Sequence, residues 1–537
     1  MAFRRNAAQQ LSLTDELNRF SPRTKRIAEN SFAKDFADMI FPAINEERFA
    51  VLYSKNPATR SNTPVNFIVG AMMLKTMTGQ SDDEMLEAIC CDVRYKYALH
   101  TTSYEEQPIS DRTFSRFRER LYNHEIETGE KLLEDEMKAL SKVYQEFLSL
   151  HSNIKRMDSM MIASSAKRMS RLEIIYTANA NCVKLMHQLG ADGQLPAGLE
   201  HYLSEEDHND VIYYCKDDDV TSRLDKVLQE AELLRVAMDS DQWMEFSQYK
   251  LLIRVLAEQA DVSEDGTRKA KPKEEISPSS LQNPSDPDAT YRQKAGKDNK
   301  GYVGNFIETI GEDGVSLITD FDLQPNTYSD TAFCKDQIRK HDPSDEEETW
   351  IADGEYGSTE IQELAEDHNI KLVTTALTGK DPHPHMAGFV FNETGKEILQ
   401  CPAGYTPQKC TYYPKRETFR IILDKCHCST CPHKEKCKVR LQHKTSAVIV
   451  STKMVQRAKY LELLSSEEYK KLTRMRNAVE GIPSVLRRKY HIDESPFRDI
   501  IRRSWAYSFA IGAYNTMKLL RHLPKVRVKS AQNPVFA

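Results

Sequence analysis

The sequence predicts a multidomain α/β protein built on a mixed sheet flanked by helices. The apolar run Trp350–Ala352, followed by Asp353 and two nearby glycines, is typical of a buried strand that ends at the edge of a sheet. Residues 291–375 alternate strand, hairpin, helix, strand, helix and strand, an order consistent with one central sheet. Residues 1–150 and 448–537 carry mainly helical patterns. We therefore expect helical regions before and after the sheet.

Residues 1–150 are predicted to form a helical DNA-binding domain. Ser81–Glu84 is a capping box for one helix, and Ser110-Asp111 caps another. That second helix has an apolar face and, on another side, arginines at every fourth position. These residues are Phe114, Phe117 and Leu121 on the first face and Arg112, Arg116 and Arg120 on the second. A basic ridge of this kind fits against DNA phosphates or in a groove; the alternative is that the arginines are only solvated. A single long helix is expected from Glu125 to Leu150.

Three acids occupy positions suited to metal-assisted chemistry. Asp158 lies in an apolar strand predicted within residues 151–168, Asp353 ends a second strand, and Glu480 lies in a late helix. Carboxylates on adjacent strands about 4.8 Å apart can bridge divalent ions spaced about 3.5–4 Å, as metal-assisted phosphoryl transfer requires. Each acid alone would more often be a surface or capping residue. The three together predict a site for divalent metal ions.

At these acids the chain resembles the bacterial insertion-sequence transposases of the DDE type, whose catalytic domain is RNase H-like. The motifs that carry the resemblance are Met157-Asp158-Ser159, Ile351-Ala352-Asp353-Gly354-Glu355-Tyr356 and Arg476-Asn477-Ala478-Val479-Glu480-Gly481. Residues 63–121 also resemble the N-terminal domain of this group. The resemblance implies a transposase that cleaves DNA at transposon ends and transfers the strands to target DNA, without a covalent enzyme intermediate.

The resemblance also implies cofactors and partners. Two Mg²⁺ ions, or Mn²⁺, would be held by the catalytic acids Asp158, Asp353 and Glu480. The partner would be double-stranded DNA, both terminal repeats and target DNA, bound by a homodimer. No stretch of the sequence approaches the roughly 18 apolar residues of a membrane helix. We therefore expect a cytoplasmic, nucleoid-associated protein with no membrane partner.

The third motif departs from the family pattern Tyr-x-x-Arg-x-x-x-Glu-x-x-x-x-x-x-Lys. Thr473 stands where the pattern has Tyr, and Arg487 stands where it has Lys, which keeps the charge but not its geometry. Pro483 is expected to bend or end the helix after Glu480.

Arg476 lies one helical turn before Glu480 and can hold either its carboxylate or a bound phosphate. The alternative for that pair is a surface salt bridge contributing about 0.3–0.5 kcal/mol. The resemblance implies DNA contacts by Arg476 and Arg487.

Six of the eleven cysteines lie between residues 401 and 437, within a predicted Cys-rich insertion, residues 376–447. The odd number of cysteines argues against a disulfide framework. Cys428-Ser429-Thr430-Cys431 has the short-loop spacing of a structural zinc site. The favoured zinc ligands are Cys401, Cys428, Cys431 and Cys437. Cys410 and Cys426 remain alternatives for the ligands outside the Cys-x-x-Cys pair, and unligated reduced thiols are the alternative to a metal site.

A helical insertion with a linker is predicted at residues 169–290, between the first strand and the rest of the sheet. It is acidic, with 21 Asp and Glu against 10 Lys and Arg from residue 201 to 290. Its last part, Ser263–Pro287, is rich in Lys, Glu, Ser and Pro, a composition that predicts a flexible linker. The RNase H-like core would then occupy 291–375, and the helices of 448–537 would carry the catalytic Glu480.

The charge is unevenly distributed. Cys401–Ala537 contains 28 Lys and Arg against 10 Asp and Glu, although the whole chain has a net charge of -6. This asymmetry favours a basic surface for a polyanion next to an acidic remainder; the alternative is solvated charge with no partner. Two other functions stay open: a metal-dependent nuclease without strand transfer, and a catalytically inactive DNA-binding protein derived from a transposase.

Overall fold

A computed structural model describes residues 1–6, 19–101, 109–214, 220–263, 266–294, 296–311, 313–341, 346–375, 381–392 and 394–532. The fold is mixed α/β, as predicted, with a helical N-terminal region and a curled mixed sheet that is consistent with an RNase H-like domain. Within the described ranges, no helix combines the length and apolar character needed to cross a membrane. The predicted domain boundaries stay predictions.

The N-terminal region is helical. Its α-helices are α1 (Pro22–Glu29), α2 (Phe32–Asp35), α3 (Val65–Thr78), α4 (Asp82–Cys91), α5 (Val93–Ala98), α6 (Thr113–Thr128) and α7 (Leu132–Phe147). A π-helix at Phe36–Ile40 and 3-10 helices at Phe41–Ala43 and Glu46–Leu52 connect α2 to α3. The predicted capping box is present at α4, where Ser81 and Glu84 each bond the other's backbone N–H.

One prediction for this region is wrong. Residues 125–150 do not form a single helix, because α6 ends at Thr128 and α7 begins at Leu132. Gly129 follows α6 with φ 75°, a left-handed conformation that terminates helices and that glycine adopts without a steric penalty. The break folds the chain back, so that α7 packs against the C-terminal helix.

The strand β1 (Ile154–Ala163) is followed by the insertion, which has its own hydrophobic core. The insertion contains α8 (Arg171–Gln188), α9 (Glu205–Ile212), α10 (Val220–Ala237), α11 (Asp241–Met244), α12 (Ser247–Gln259), β2 (Ala260–Val262) and β3 (Arg268–Ala270). Short 3-10 helices lie at Asp192–Gln194, Glu200–Leu203 and Lys273–Glu275. Side chains from Leu172 to Leu281 form a core separate from that of the sheet.

The described part of Ser263–Pro287 is packed rather than a flexible linker, so that prediction is corrected; residues 264 and 265 lie outside the described ranges. Asn283 Nδ2 donates to the Lys167 carbonyl oxygen at 2.8 Å. Asp286 is fully buried and accepts from the Tyr302 hydroxyl at 2.5 Å and from the Asp499 N–H at 2.9 Å. Polar composition alone predicted flexibility, whereas these polar groups are satisfied by distant parts of the chain.

The large mixed sheet has the order of strands and helices that the sequence predicted. Its further elements are β4 (Thr290–Lys294), β5 (Lys297–Ile310), β6 (Ser316–Pro325), α13 (Asp330–Lys340), β7 (Glu348–Ala352), the 3-10 helix Gly354–Tyr356, α14 (Thr359–Asp367) and β8 (Ile370–Thr374). The strand order is β6-β5-β1-β7-β8, with β4 also paired to β5. β5 is antiparallel to β1 and β6, whereas β1, β7 and β8 are mutually parallel.

A second small sheet follows in the Cys-rich insertion. Its elements are β9 (Val390–Phe391), β10 (Ile398–Gln400), β11 (Lys409–Tyr413), β12 (Thr418–Asp424), α15 (Lys425–Ser429), β13 (Arg440–Leu441) and β14 (Thr445–Ser451), with 3-10 helices at Pro384–Gly388 and Pro414–Arg416. β9 and β10 form a separate two-stranded sheet, and the other strands pair in the order β11-β12-β14-β13. Phe419, Ile421 and Val450 are buried in a separate small core.

The C-terminal helices close over the sheet and connect it to the N-terminal region. They are α16 (Thr452–Leu464), α17 (Glu467–Asn477), α18 (Gly481–Arg488) and α19 (Ile500–Gln532), with 3-10 helices at Ala478–Glu480 and Ile492–Glu494. On α19, Tyr507 is fully buried and donates to the Asn305 carbonyl oxygen in β5. Thr516 and the Tyr144 hydroxyl of α7 lie 3.0 Å apart. α19 therefore joins both regions in one continuous core.

Candidate active site

Asp158 lies in the central strand of the sheet with a side chain that is 16% exposed. Its Oδ1 accepts the Ser159 N–H at 2.8 Å. Burial raises the pKa of Asp158, and the neighbouring Asp353 acts in the same direction, whereas Arg476 and the Ser159 N–H oppose the rise. An acid in this setting is stabilised in its charged form by added positive charge, as a divalent cation would supply.

Asp353 directly follows β7, at the same end of the sheet. The parallel register of β1 and β7 pairs Arg156 with Ile351. Asp158 and Asp353 each follow two residues later, so they lie next to one another. Asp353 Oδ1 accepts the Gly354 N–H at 2.6 Å and the Thr375 hydroxyl at 3.1 Å. The backbone and the end of β8 thus orient the second carboxylate.

Glu480 comes from a break between two helices. α17 ends at Asn477, the 3-10 helix carries Ala478–Glu480, and α18 starts at Gly481. Pro483 falls in the first turn of α18, where its missing N–H is tolerated, so it does not end the helix that follows Glu480. The α-helix is instead interrupted at Ala478–Glu480. The Glu480 side chain is 72% exposed.

Arg476 brings the three predicted acids together. Its Nη2 lies 3.3 Å from Asp353 Oδ2 and 3.6 Å from Asp158 Oδ1, and its Nη1 lies 3.8 Å from Glu480 Oε1. The arginine side chain is only 12% exposed, and its Nε is buried with no hydrogen-bond partner. The guanidinium is therefore not simply half of a surface i, i+4 pair, because it also bridges acids from two strands.

The donor chemistry of this cluster fits a divalent metal, although the side chains are not arranged around a single point. Over the ranges that the structure describes, no three His, Cys, Asp or Glu side chains converge closely enough to hold a metal ion. Carboxylate oxygens are nonetheless the ligands that Mg²⁺ and Mn²⁺ prefer. Backbone and hydroxyl hydrogen bonds hold Asp158 and Asp353, whereas the Glu480 side chain is largely exposed.

Sequence reasoning missed a second polar layer beneath the acids. Ser159 Oγ donates to Asp330 Oδ1 at 2.9 Å, and Lys294 Nζ donates to Asp330 Oδ2 at 3.0 Å and lies 3.4 Å from Glu355 Oε2. Asp330 is buried at the first turn of α13. The Ser-Asp pair at that helix start could have been recognised as a cap, but nothing in the sequence links it to Lys294.

The arginines predicted to contact DNA have different surroundings. Arg112, the N-cap residue of α6, and Arg116, within α6, are exposed, whereas the Arg120 guanidinium lies 4.9 Å from the centre of the Tyr53 ring. Arg487 Nη2 donates to the Met161 carbonyl oxygen at 2.6 Å, and its Nε lies 3.1 Å from Asp493 Oδ2. Arg487 therefore fastens α18 to β1. The exposed part of the predicted ridge is Arg112 and Arg116.

The four favoured zinc ligands line one cavity of ≈ 20 Å³. They are Cys401, Cys428, Cys431 and Cys437. Of the alternatives, Cys426 is exposed and Cys410 accepts the Ile398 N–H at 3.4 Å outside this cavity. Burial, together with the neighbouring thiols, raises the pKa of Cys437 to about 11.

Histidines next to this cavity were not predicted. His433 lines it with a buried Nδ1 that lacks a hydrogen-bond partner, and His385 Nε2 lies 3.3 Å from Cys437 Sγ. The sequence signals that could have revealed these histidines are His383-Pro384-His385 and Cys431-Pro432-His433.

Two parts of the chain match known protein families. Residues 22–120 match the family described as Transposase domain (DUF772), and residues 400–520 match the family described as Transposase DDE domain. No curated protein and no solved structure matches the chain. The match to the DDE domain supports an enzyme of the nuclease and transposase class. The two matches, at opposite ends of the chain, support an insertion-sequence DDE transposase, as the motifs predicted.

Proposed function

We propose that this protein binds the ends of an insertion sequence, cleaves the DNA there and transfers the freed 3′ ends to target DNA. The observation that carries the proposal is the convergence of Asp158, Asp353 and Glu480 on Arg476, at distances of 3.3 to 3.8 Å. These residues come from two strands and a late helix, and the last of them lies within the matched DDE domain.

The DDE family implies dependence on divalent metal, and we propose Mg²⁺ or Mn²⁺ held by Asp158, Asp353 and Glu480. Two such ions would supply activation of water and stabilisation of charge on the phosphate. The Gly354 N–H and the Thr375 hydroxyl hold Asp353, and the sheet holds Asp158. Glu480, the exposed acid, closes the ligand set. Arg476 then becomes available to orient a DNA phosphate by a forked pair of hydrogen bonds.

With the ends cut, the same acids serve the second step, in which a 3′-OH attacks a target phosphodiester in line. Such a transfer needs positioning and charge stabilisation rather than a covalent intermediate. A homodimer on double-stranded DNA suits this reaction, because each chain has one set of acids and an element has two ends to process.

DNA binding is proposed to be divided between the two matched regions. Arg112, at the start of α6, and Arg116, on α6, would contact the terminal repeats, and exposure of both side chains supports this role. The basic C-terminal part, with 28 Lys and Arg against 10 Asp and Glu after residue 400, would contact phosphates without regard to sequence.

A structural Zn²⁺ held by Cys401, Cys428, Cys431 and Cys437 is proposed for the Cys-rich insertion. The lining of one cavity by all four thiols supports this ligand set over Cys410 and Cys426. The insertion also has a small core, and domains of this size commonly need a metal to stabilise them. His433, which lines the cavity, and His385, whose Nε2 lies 3.3 Å from Cys437 Sγ, are the alternative ligands.

The test is incubation of the purified protein with Mg²⁺, a duplex that carries the element's ends, and a target plasmid. We expect cut ends and joined products, and neither product with Asp158→Asn, Asp353→Asn or Glu480→Gln, each of which should still bind DNA. Glu468→Gln on α17 is the matched control, because its carboxylate is exposed and pairs with Lys371. Cutting without joining would indicate the nuclease alternative, and binding without cutting would indicate the inactive DNA-binding protein.

A further inference from the structure

A buried ion pair links the two central strands directly beneath the acids. Arg156 and Glu308 are opposite one another in the antiparallel pair of β1 and β5. Arg156 Nε donates to Glu308 Oε2 at 2.6 Å, and Arg156 Nη2 lies 2.5 Å from the same oxygen. Glu308 is fully buried and Arg156 is 6% exposed. A pair buried to this extent is costly to desolvate, so its geometry has to be well satisfied.

Glu308 has a second cation. Lys518 Nζ on α19 donates to Glu308 Oε1 at 2.8 Å and to Ser316 Oγ at 2.8 Å. Two cations therefore share one buried carboxylate, although the Lys518 side chain is 21% exposed. A further partner with negative character would stabilise the surplus positive charge.

The end of α17 supplies this partner. The third guanidinium nitrogen of Arg156, Nη1, donates to the Met475 carbonyl oxygen at 2.6 Å. Met475 lies in the last turn of α17, where backbone carbonyls have no partner within the helix and carry the negative end of the helix dipole. One guanidinium thus holds the core carboxylate with one edge and the end of a helix with the other.

The two residues joined by this contact are adjacent to the acids. Arg156 lies two positions before Asp158 on β1, and Met475 lies one position before Arg476. We infer that Arg156 is a positioning residue, which fixes the end of α17 against β1 so that Arg476 and Glu480 meet Asp158. This inference rests on the proposed function and adds a residue that touches neither DNA nor metal.

Arg156→Lys tests the inference, because lysine keeps the charge beside Glu308 but cannot fork to Met475 as well. At saturating DNA, we expect the cleavage rate to fall roughly 10-fold and the half-saturating Mg²⁺ concentration to rise several-fold, as when groups that orient metal ligands are lost. Mn²⁺, which tolerates less ideal geometry than Mg²⁺, should restore part of the rate. The DNA dissociation constant should stay within about twofold of wild type, since the residue does not reach the surface.

Lys518→Met is the matched control, because Lys518 binds the same carboxylate without reaching α17. It should lower the melting temperature yet leave the half-saturating Mg²⁺ concentration and the cleavage rate near wild type. Equal changes in the two variants would overturn the inference, since both would then act through general stability. Wild-type Mg²⁺ dependence in Arg156→Lys would also overturn it.

Hydrogen exchange provides a readout that does not need activity. Amides of residues 474–482 should exchange roughly 10-fold faster than wild type in Arg156→Lys, because this change frees the helix end. Their exchange rates should equal those of wild type in Lys518→Met. If wild-type protein does not cleave DNA, the proposed function fails while exchange still tests the contact. If Arg156→Lys does not fold, Arg156→Met with Glu308→Gln removes one charge of each sign and is tested by the same exchange. Unchanged exchange in the folded variant would overturn the inference.

Discussion

Arg476 Nη2 lies 3.3 Å from Asp353 Oδ2, although the two residues belong to elements on different sides of the Cys-rich insertion. The guanidinium also reaches Asp158 and Glu480 and so offsets the repulsion among three clustered carboxylates. At Asp158, the guanidinium opposes the rise in pKa that burial causes.

Arg476→Ala should therefore make the protein depend on metal for stability as well as for chemistry. We expect a lower melting temperature in the presence of EDTA, and a larger increase on addition of Mg²⁺ than wild type shows, because the ions replace the lost charge. Cleavage should fall about 100-fold, as for loss of a group that stabilises transition-state charge. Arg474→Ala, an exposed charge on the same helix, is the control and should leave the Mg²⁺-induced increase unchanged. An equal Mg²⁺ effect in both variants would contradict this role.

Charge reversal at Arg116 should reduce binding to the element's ends more than to random duplex. The side chain is exposed on α6, and a base contact contributes about 1–3 kcal/mol of discrimination. Fluorescence anisotropy with both duplexes, at one fixed salt concentration, measures the ratio of the two dissociation constants. Lys142→Glu on α7 makes the same charge change elsewhere on the helical region and should affect both duplexes alike. If Arg116→Glu reduced the affinity for both duplexes equally, this helix would contact only the DNA backbone.

The purified protein should contain about one Zn²⁺ per chain, which Cys428→Ser or Cys431→Ser should remove. Metal analysis after purification without chelators gives the stoichiometry, and limited proteolysis of residues 376–447 reports the local loss of stability. Cys426→Ser should retain the metal, because that thiol is exposed and outside the cavity. Zinc-free wild-type protein would return all six cysteines to the role of reduced thiols.

Gly304→Ala should destabilise the packing of α19 against the sheet. A Cβ at this position would lie 2.8 Å from Tyr507 Cζ and 2.8 Å from Ile162 Cδ1, and both side chains are buried. Overpacking of this kind costs about 1–3 kcal/mol, which thermal denaturation would detect. Gly193→Ala has open space around the new methyl group and should be close to neutral. A neutral Gly304→Ala would mean that α19 can shift away from β5.

Local sequence patterns were sufficient to locate the three acids, but not to identify the residues that hold them in place. Asp353 could be located because an apolar strand ends at it, and Glu480 because its motif is contiguous. Arg156 could not be recognised, since its partners Glu308 and Met475 lie 152 and 319 positions away. Distant partners also explain why residues 263–287 were wrongly predicted to be a flexible linker. Their polar composition gave no sign of the tertiary hydrogen bonds of Asn283 and Asp286. The break at Gly129 was missed because the helical periodicity continues on both sides of it.

The position of the insertion also has a consequence for how the chain folds. β1 must pair with β5 across the 133 residues that separate Ala163 from Lys297. An insertion with its own core can form first and bring its ends together, where the Ser164 hydroxyl donates to Asp286. Shortening the effective loop about tenfold lowers the entropy cost of closure by about 2 kcal/mol. The acidic insertion would then speed assembly of the central sheet, and a destabilised insertion core should slow refolding even where the acids are untouched.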